Sequence, residues 1–252
     1  MTEKSLTSLG RMLSVLDLFS DSRLTWTAEA ITEALQVSLP TGYRYVRMLV
    51  DAGLLQRAAD SQYTLGPRII VLDHYIRMAD PVLQMGRPFM AELVEKTGFG
   101  FDCVLSGLYG EQLLDTHREL GKAPPVLSYG RGRPRPLFQG AAAKVILSCF
   151  APTRLHRLFD AHGDEIARVG LPTDWPGFRK YYSAIRKDGF YFSNGELESN
   201  LAAVAAPLLK SDGSILGAIS LVTTVNRMAL MDVPKLTQLI KHTAQQITAH
   251  IP

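Results

Sequence analysis

Three observations predict an α+β fold in two parts for these 252 residues. The leading third is patterned as short helices followed by a hairpin. The remainder mixes helices with strands that turn back through short loops, and the length exceeds what one core usually fills. In the first part, Leu9, Met12, Leu13, Leu16 and Phe19 recur at helical spacing and predict a supporting helix. Ala30, Ile31, Ala34 and Leu35 give a second helix, and Gln36-Val37 gives a turn. Ser38 is then placed to cap a third helix by accepting a bond from an orphan backbone N–H, with Pro40 in its first turn, where a missing N–H costs nothing. Val46, Leu49 and Val50 face inward there, which leaves Ser38, Thr41, Tyr43, Arg44 and Arg47 on or near the outer face. Gly53 supplies a left-handed close. Strand-like runs over 54–57 and 62–65 form a hairpin whose tip is flanked by Arg57 and Gln62, within reach of a phosphate. These elements make residues 1–66 a winged helix-turn-helix domain able to enter a DNA groove; the bland alternative is a helical hairpin with a solvated basic face.

Residues 67–80 read as a linker helix, with Ile69, Leu72, Tyr75 and Ile76 on one apolar face of the kind that packs against a partner chain. A helix over 81–97, stopped at Gly98, opens the larger domain, residues 81–252. Strands are predicted over 101–105 and 112–116 around the turn Gly107-Leu-Tyr-Gly110, and a Pro/Gly/Arg-rich loop over 121–136. Helices over 140–148, 152–161 and 178–187 precede strands over 190–193, 201–209 and 215–223. An amphipathic helix closes the chain over 233–249. Short returns between strands predict an antiparallel sheet with helices on one side, the layout of a sensor domain.

Charge is more informative by place than by sum. The net charge is +3, and residues 1–80 hold eight Lys/Arg against nine Asp/Glu, so the positive charge of the first domain is local to Arg44, Arg47 and Arg57. Counterion release scales with the phosphates neutralised, so a homodimer or tetramer is expected to supply further contacts with double-stranded operator DNA. Residues 118–157 carry eight Lys/Arg and one acid, Glu119. That block, near a helix start at Gly140, favours a small anionic effector, because carboxylates sit well against helix N-termini. No apolar run reaches the ~18 residues of a membrane span, and the start of the chain has no apolar secretory segment, so a cytoplasmic protein without a membrane partner is expected. Two cysteines, Cys103 and Cys149, form no disulfide framework and read as reduced thiols.

In sequence order, SLGRMLSVLDLFS, VSLPTGYRYVRMLVDAGLL with QYTLGPR, RPLFQGAAAKVILS, and DGFYFSNGELESNLAAVAAPLLKSDGSILGAISL together resemble the isocitrate lyase regulator (IclR) family of bacterial transcription factors. The resemblance spans nearly the whole chain. It implies a winged helix-turn-helix joined by a helix to a GAF-like effector-binding domain, dimeric or a dimer of dimers. It also implies DNA contacts from Ser38, Thr41, Tyr43, Arg44 and Arg47. In the GAF-like reading, Cys103, Leu105, Leu127, Arg133, Gly140, Ala141, Ala206, Ser220 and Val222 line the effector pocket, with Ser220 as its main polar group. Three positions depart from the family's pattern. Gly42 replaces an inward β-branched or small residue, Pro40 a small hydroxyl residue, and Asn200-Leu201 a Gly-aliphatic pair.

Enzymatic chemistry finds little support. No Gly-x-Ser-x-Gly elbow, Gly-x-Gly-x-x-Gly turn or P-loop occurs, no two histidines form His-x-x-x-His, and nothing calls for a cofactor or metal. Cys103 with His117, and Cys149 with His156, are the pairs to test as nucleophile and base or as ligands. Arg131-Gly-Arg133-Pro matches the core of an AT-hook as well as the family's Gly/Arg segment. The reading is a sequence-specific DNA-binding regulator controlled by a small organic, carboxylic or aromatic, acid. The alternative is a GAF-like ligand-binding or enzymatic module carrying a helical protein-interaction hairpin.

Overall fold

The computed structural model describes residues 7–251, so the extreme start of the chain, where no secretory segment is expected, lies outside them. The chain forms two compact units that divide between Ala79 and Asp80. In the first, α1 (Ser8–Leu13) ends at Ser14 and continues as a single 3-10 turn over Leu16–Leu18. The predicted supporting helix is therefore broken. Val15, with Met12, Leu16 and Phe19, packs on the core, while Leu9 and Leu13 point to solvent. The strand β1 (Trp26–Thr27) leads into α2 (Ala28–Ala34), whose N-cap Thr27 accepts from the Ala30 N–H. Next, α3 (Leu39–Asp51) buries Gly42, Tyr45, Val46 and Leu49. Ser38 is the N-cap residue of α3, but its hydroxyl bonds to that of Thr41 at 2.9 Å and not to a backbone N–H. The hairpin β2 (Leu55–Arg57) and β3 (Gln62–Leu65) follows, with β3 in the middle because β1 pairs on its other side. A two-residue strand gives no period to read, which is why β1 escaped notice in the sequence.

Gly42 explains itself in this packing. A Cβ there would fall on the Thr32 hydroxyl and lie 2.9 Å from its Cβ, so α3 crosses α2 more closely than any side chain at 42 allows. The helix α4 (Arg68–Ala79) is anchored at its start by the Arg68 guanidinium, which donates to the Ala52 carbonyl at 3.0 Å. None of its residues is buried, and Ile70, Val71, Leu72, Tyr75, Ile76 and Met78 are exposed.

The second unit opens with α5 (Pro81–Thr97), capped by the Asp80 carboxylate on the Val82 and Leu83 N–H groups. Then come β4 (Asp102–Tyr109), β5 (Gln112–Leu120), β6 (Pro134–Arg135), α6 (Ala141–Ser148), α7 (Pro152–Ala161), α8 (Gly163–Arg168) and α9 (Trp175–Asp188). The chain finishes with β7 (Tyr191–Asn194), β8 (Leu201–Leu209), β9 (Ile215–Thr224), α10 (Val225–Met228) and α11 (Val233–Ala249). Gly107 to Tyr109 belong to β4, not to a turn, so β4 and β5 are longer than their apolar runs suggested. The sheet is antiparallel throughout, in the order β6-β5-β4-β9-β8-β7.

Helices cover both faces of this sheet, not one. Strand alternation sends Cys103, Leu105, Val204, Ala206, Ile219 and Leu221 to a core shared with α5, α10 and α11. It sends Ala205 and Ala218 to a second core under α6, α7, α8 and α9. No helix among the described residues is long and apolar enough to cross a membrane. Because Gly42 lets α2 and α3 touch, Gly42→Ala is expected to destabilise the first unit by about 1–3 kcal/mol through overpacking. Amide exchange in α3 checks this, and adding Thr32→Ala should recover part of the loss.

Candidate functional site

In the first unit, a groove opens between α3 and the wing. Tyr43, Arg44, Arg47 and Arg57 line it over a floor of Val46, Val50 and Tyr63, with Asp51 at one end. The 3.6-residue repeat puts Arg44 and Arg47 one turn apart on the face opposite Tyr45, Val46 and Leu49, so burying that stripe exposes the cations. Arg47 stays 85 % exposed at its side chain, with Asp51 a loose 3.8 Å away. Tyr43 donates its phenol O–H to the Glu29 carboxylate across the helix pair. That contact lowers the pKa of Glu29 and raises that of Tyr43. Of the other candidates, Ser38 and Thr41 hold one another at the start of α3, and Gln62 pairs with Thr27 at the base of the wing tip, so none of these three lines the groove.

The second unit holds a cavity of about 480 Å³, counted to the atom surfaces and including its mouth. Its floor is the sheet face opposite α5 and α11, and its far wall is the start of α6. Leu127, Gly140, Ala141, Ser220 and Val222 line it, as expected from the sequence. Cys103, Leu105 and Ala206 do not: each is one residue out of phase and faces the other core. Arg133 does not either, because its guanidinium turns back onto the Ser128 carbonyl. The neighbouring Arg135 takes the place foreseen for it, and Val104, Asp115, Tyr129, Ser193 and Leu197 were missed as lining residues beside Glu198. Alternation from Ser220 would have found Val104, its partner across β4 and β9. Leu197 and Glu198 lie in an irregular segment with no period to read.

Two features of this cavity bear on what it can hold. Ser220 is 2 % exposed, and its Oγ has no hydrogen-bond partner in the protein. At the start of α6, the Gly140 N–H donates to Glu196 Oε2 at 3.1 Å, and that carboxylate also pairs with Lys144 at 2.7 Å. The next residues, Ala141 and Ala142, border the cavity, and their N–H groups have no acceptor within the helix.

The basic block of residues 118–157 is largely occupied elsewhere. Arg118 pairs with the buried Asp102, Arg131 donates to the Thr116 carbonyl, and Arg154 stacks over Phe150 at 3.8 Å. Arg131 and Arg133 are thus turned onto their own domain and form no free AT-hook arm. Of the cationic side chains in this block, only Arg135 lines the cavity. The cysteine pairs are not assembled for chemistry. Burial pushes the Cys103 thiol far up, away from the thiolate a nucleophile needs, and His117 bonds to Glu119 at 3.0 Å. Cys149 caps the end of α6 and burial raises its thiol too, while the His156 ring packs edge-on against Trp175 with centroids 4.4 Å apart.

Comparison with known proteins assigns both units. Residues 8–59 match the IclR helix-turn-helix domain, and residues 74–249 match the bacterial transcriptional regulator IclR C-terminal domain. The chain is 27 % identical over 212 residues to the HTH-type transcriptional regulator KipR of Bacillus subtilis, covering 83 % of each. Among solved structures, an IclR-type regulator from Silicibacter sp. TM1040 superposes with TM-score 0.79 at 22 % identity, over 97 % of this chain and 96 % of that one. An IclR homologue from Microbacterium hydrocarbonoxydans, complexed with 4-hydroxybenzoate, superposes with TM-score 0.76 at 20 % identity, over 97 % and 99 %. With both of its units matched in order, the chain belongs to the IclR family of bacterial transcriptional regulators, a family of DNA-binding proteins and not of enzymes.

Proposed function

We propose that this regulator acts in the cytoplasm as a homodimer. Two copies of α3 lie in successive major grooves of an operator, and a small organic acid in the cavity shifts the balance between two arrangements of the pair. The observation that carries the effector half is Ser220: a buried hydroxyl without a partner, in a cavity that the start of α6 also borders, is a site for an anionic oxygen. The Microbacterium relative is complexed with 4-hydroxybenzoate, which is itself a small organic acid. The support for this class comes from the α6 start and Ser220, not from the basic block, in which Arg118, Arg131 and Arg154 have partners within their own unit.

On the DNA side, Tyr43, Arg44, Arg47 and Arg57 frame a groove suited to phosphates and base edges. Recognition helices of a dimer must stand about 34 Å apart to enter successive turns, so spacing is the variable a ligand can bias. A ligand moves that balance only by its differential affinity for the two arrangements. The exposed apolar face of α4 is the surface proposed to join the copies.

In gel shifts with the DNA upstream of the chain's own gene, Arg44→Ala is expected to weaken binding about ten- to a hundredfold, the range for one base-edge arginine. Thermal stabilisation by an acid ligand should stay as it was, and loss of both together would mean misfolding instead. Ile76→Glu is expected to turn the dimer into a monomer in sedimentation and to weaken operator binding about a hundredfold by removing bivalency. A variant that still sediments as a dimer would place the interface elsewhere.

A further inference from the structure

Asp115 and Arg135 form a nearly buried ion pair at the β5–β6 end of the cavity, their side chains 5 % and 9 % exposed. The Oδ1 atom of Asp115 accepts from Ser106 Oγ and from Arg135 Nη1, each at 2.8 Å. The bulge between Leu105 and Ser106 brings this about, because it realigns β5 so that Asp115 stands opposite Ser106. Gly140 makes room for the guanidinium: it adopts φ +83°, and a Cβ there would lie 3.2 Å from Arg135 Nη2. Arg135 Nε, also buried, has no partner. Ser220 lies on β9, two strands from β5, or about 10 Å backbone to backbone. The wall between them is apolar, with Val104, Leu127 and Val222.

We propose that the Asp115–Arg135 pair reads a hydroxyl group at the far end of the effector, so that the cavity selects a hydroxylated carboxylic acid over the plain acid and over the dicarboxylic acid. This rests on the reading above that the cavity holds an organic acid through Ser220 and the start of α6. A hydroxyl both donates and accepts, which suits a buried N–H donor set beside a carboxylate. A plain acid leaves Nε unpaired in a dry site, and sites built around a polar contact reject analogues that lack it. A second carboxylate fits worse, because Asp115 already neutralises the only cation in the cavity lining and Glu198 adds another negative charge.

The test is calorimetric titration of the full chain with two matched sets: benzoate, 4-hydroxybenzoate and terephthalate; pentanoate, 5-hydroxypentanoate and glutarate. In at least one set, the hydroxy acid is expected to bind about tenfold more tightly than the plain acid, with the diacid weakest. Arg135→Lys, and separately the uncharged double variant Asp115→Asn with Arg135→Gln, should bring the ratio of hydroxy to plain acid close to one. A wild-type ratio at or below one in both sets overturns the proposal, as does a preference that survives both variants. If either variant fails to fold, the wild-type ratios decide. If none of the acids binds, the acid reading itself falls, and the hydroxyl reading with it.

Discussion

The pairing of β4 with β9, Val104 opposite Ser220, is the constraint on which the larger unit depends. A side chain in a strand has only two directions available, so fixing this register assigns every residue of the central strands to one of two faces. One face is closed by α5 and α11 into a dry core. The other is closed partly by α6 and partly by irregular segments, and the space they leave is the cavity. A slip of one residue would carry Ser220 into the apolar core and turn Leu221 toward the cavity. The packing of the closing helix thus holds the binding surface in phase.

In the smaller unit the equivalent constraint is steric. The close crossing of α2 and α3 at Thr32 and Gly42 fixes the angle at which α3 leaves the body. Burial of Tyr45, Val46 and Leu49 then fixes its rotation, and Arg44 and Arg47 face outward as a consequence. A glycine that looked like a weak point for a helix is the residue that permits the motif's geometry. Its propensity cost of about 1 kcal/mol is set against tertiary contact.

Much of this architecture was legible because it is periodic or punctuated. The bounds of α5 and α11 follow from apolar spacing with Pro or Gly near the ends, those of β8 from an apolar run that stops before a polar turn, and the wing from two short runs around a polar tip. What escaped has a physical reason in each case. The helices α8 and α10 are too short to show a stripe, and β1 is two residues long. Helices on both sheet faces could have been inferred from β8, where alanine and larger apolar residues fill both phases. For the cavity, the strands were right and the phase was not: Cys103, Leu105 and Ala206 lie one position from Val104 and Ala205, and nothing local tells the two faces apart when both are apolar. Arg133 and Arg135 differ by two residues in a loop, where charge alone cannot say which side chain turns inward.

The helix α4 carries one more implication. At twelve residues with no side chain buried, it lies at the lower limit at which a lone helix persists in water. In the proposed dimer its order would come from the second copy covering Ile70, Tyr75 and Ile76, which would make the helicity of this one segment a gauge of protein concentration. In that proposed assembly, the segment that joins the two units is also where dilution would first be felt.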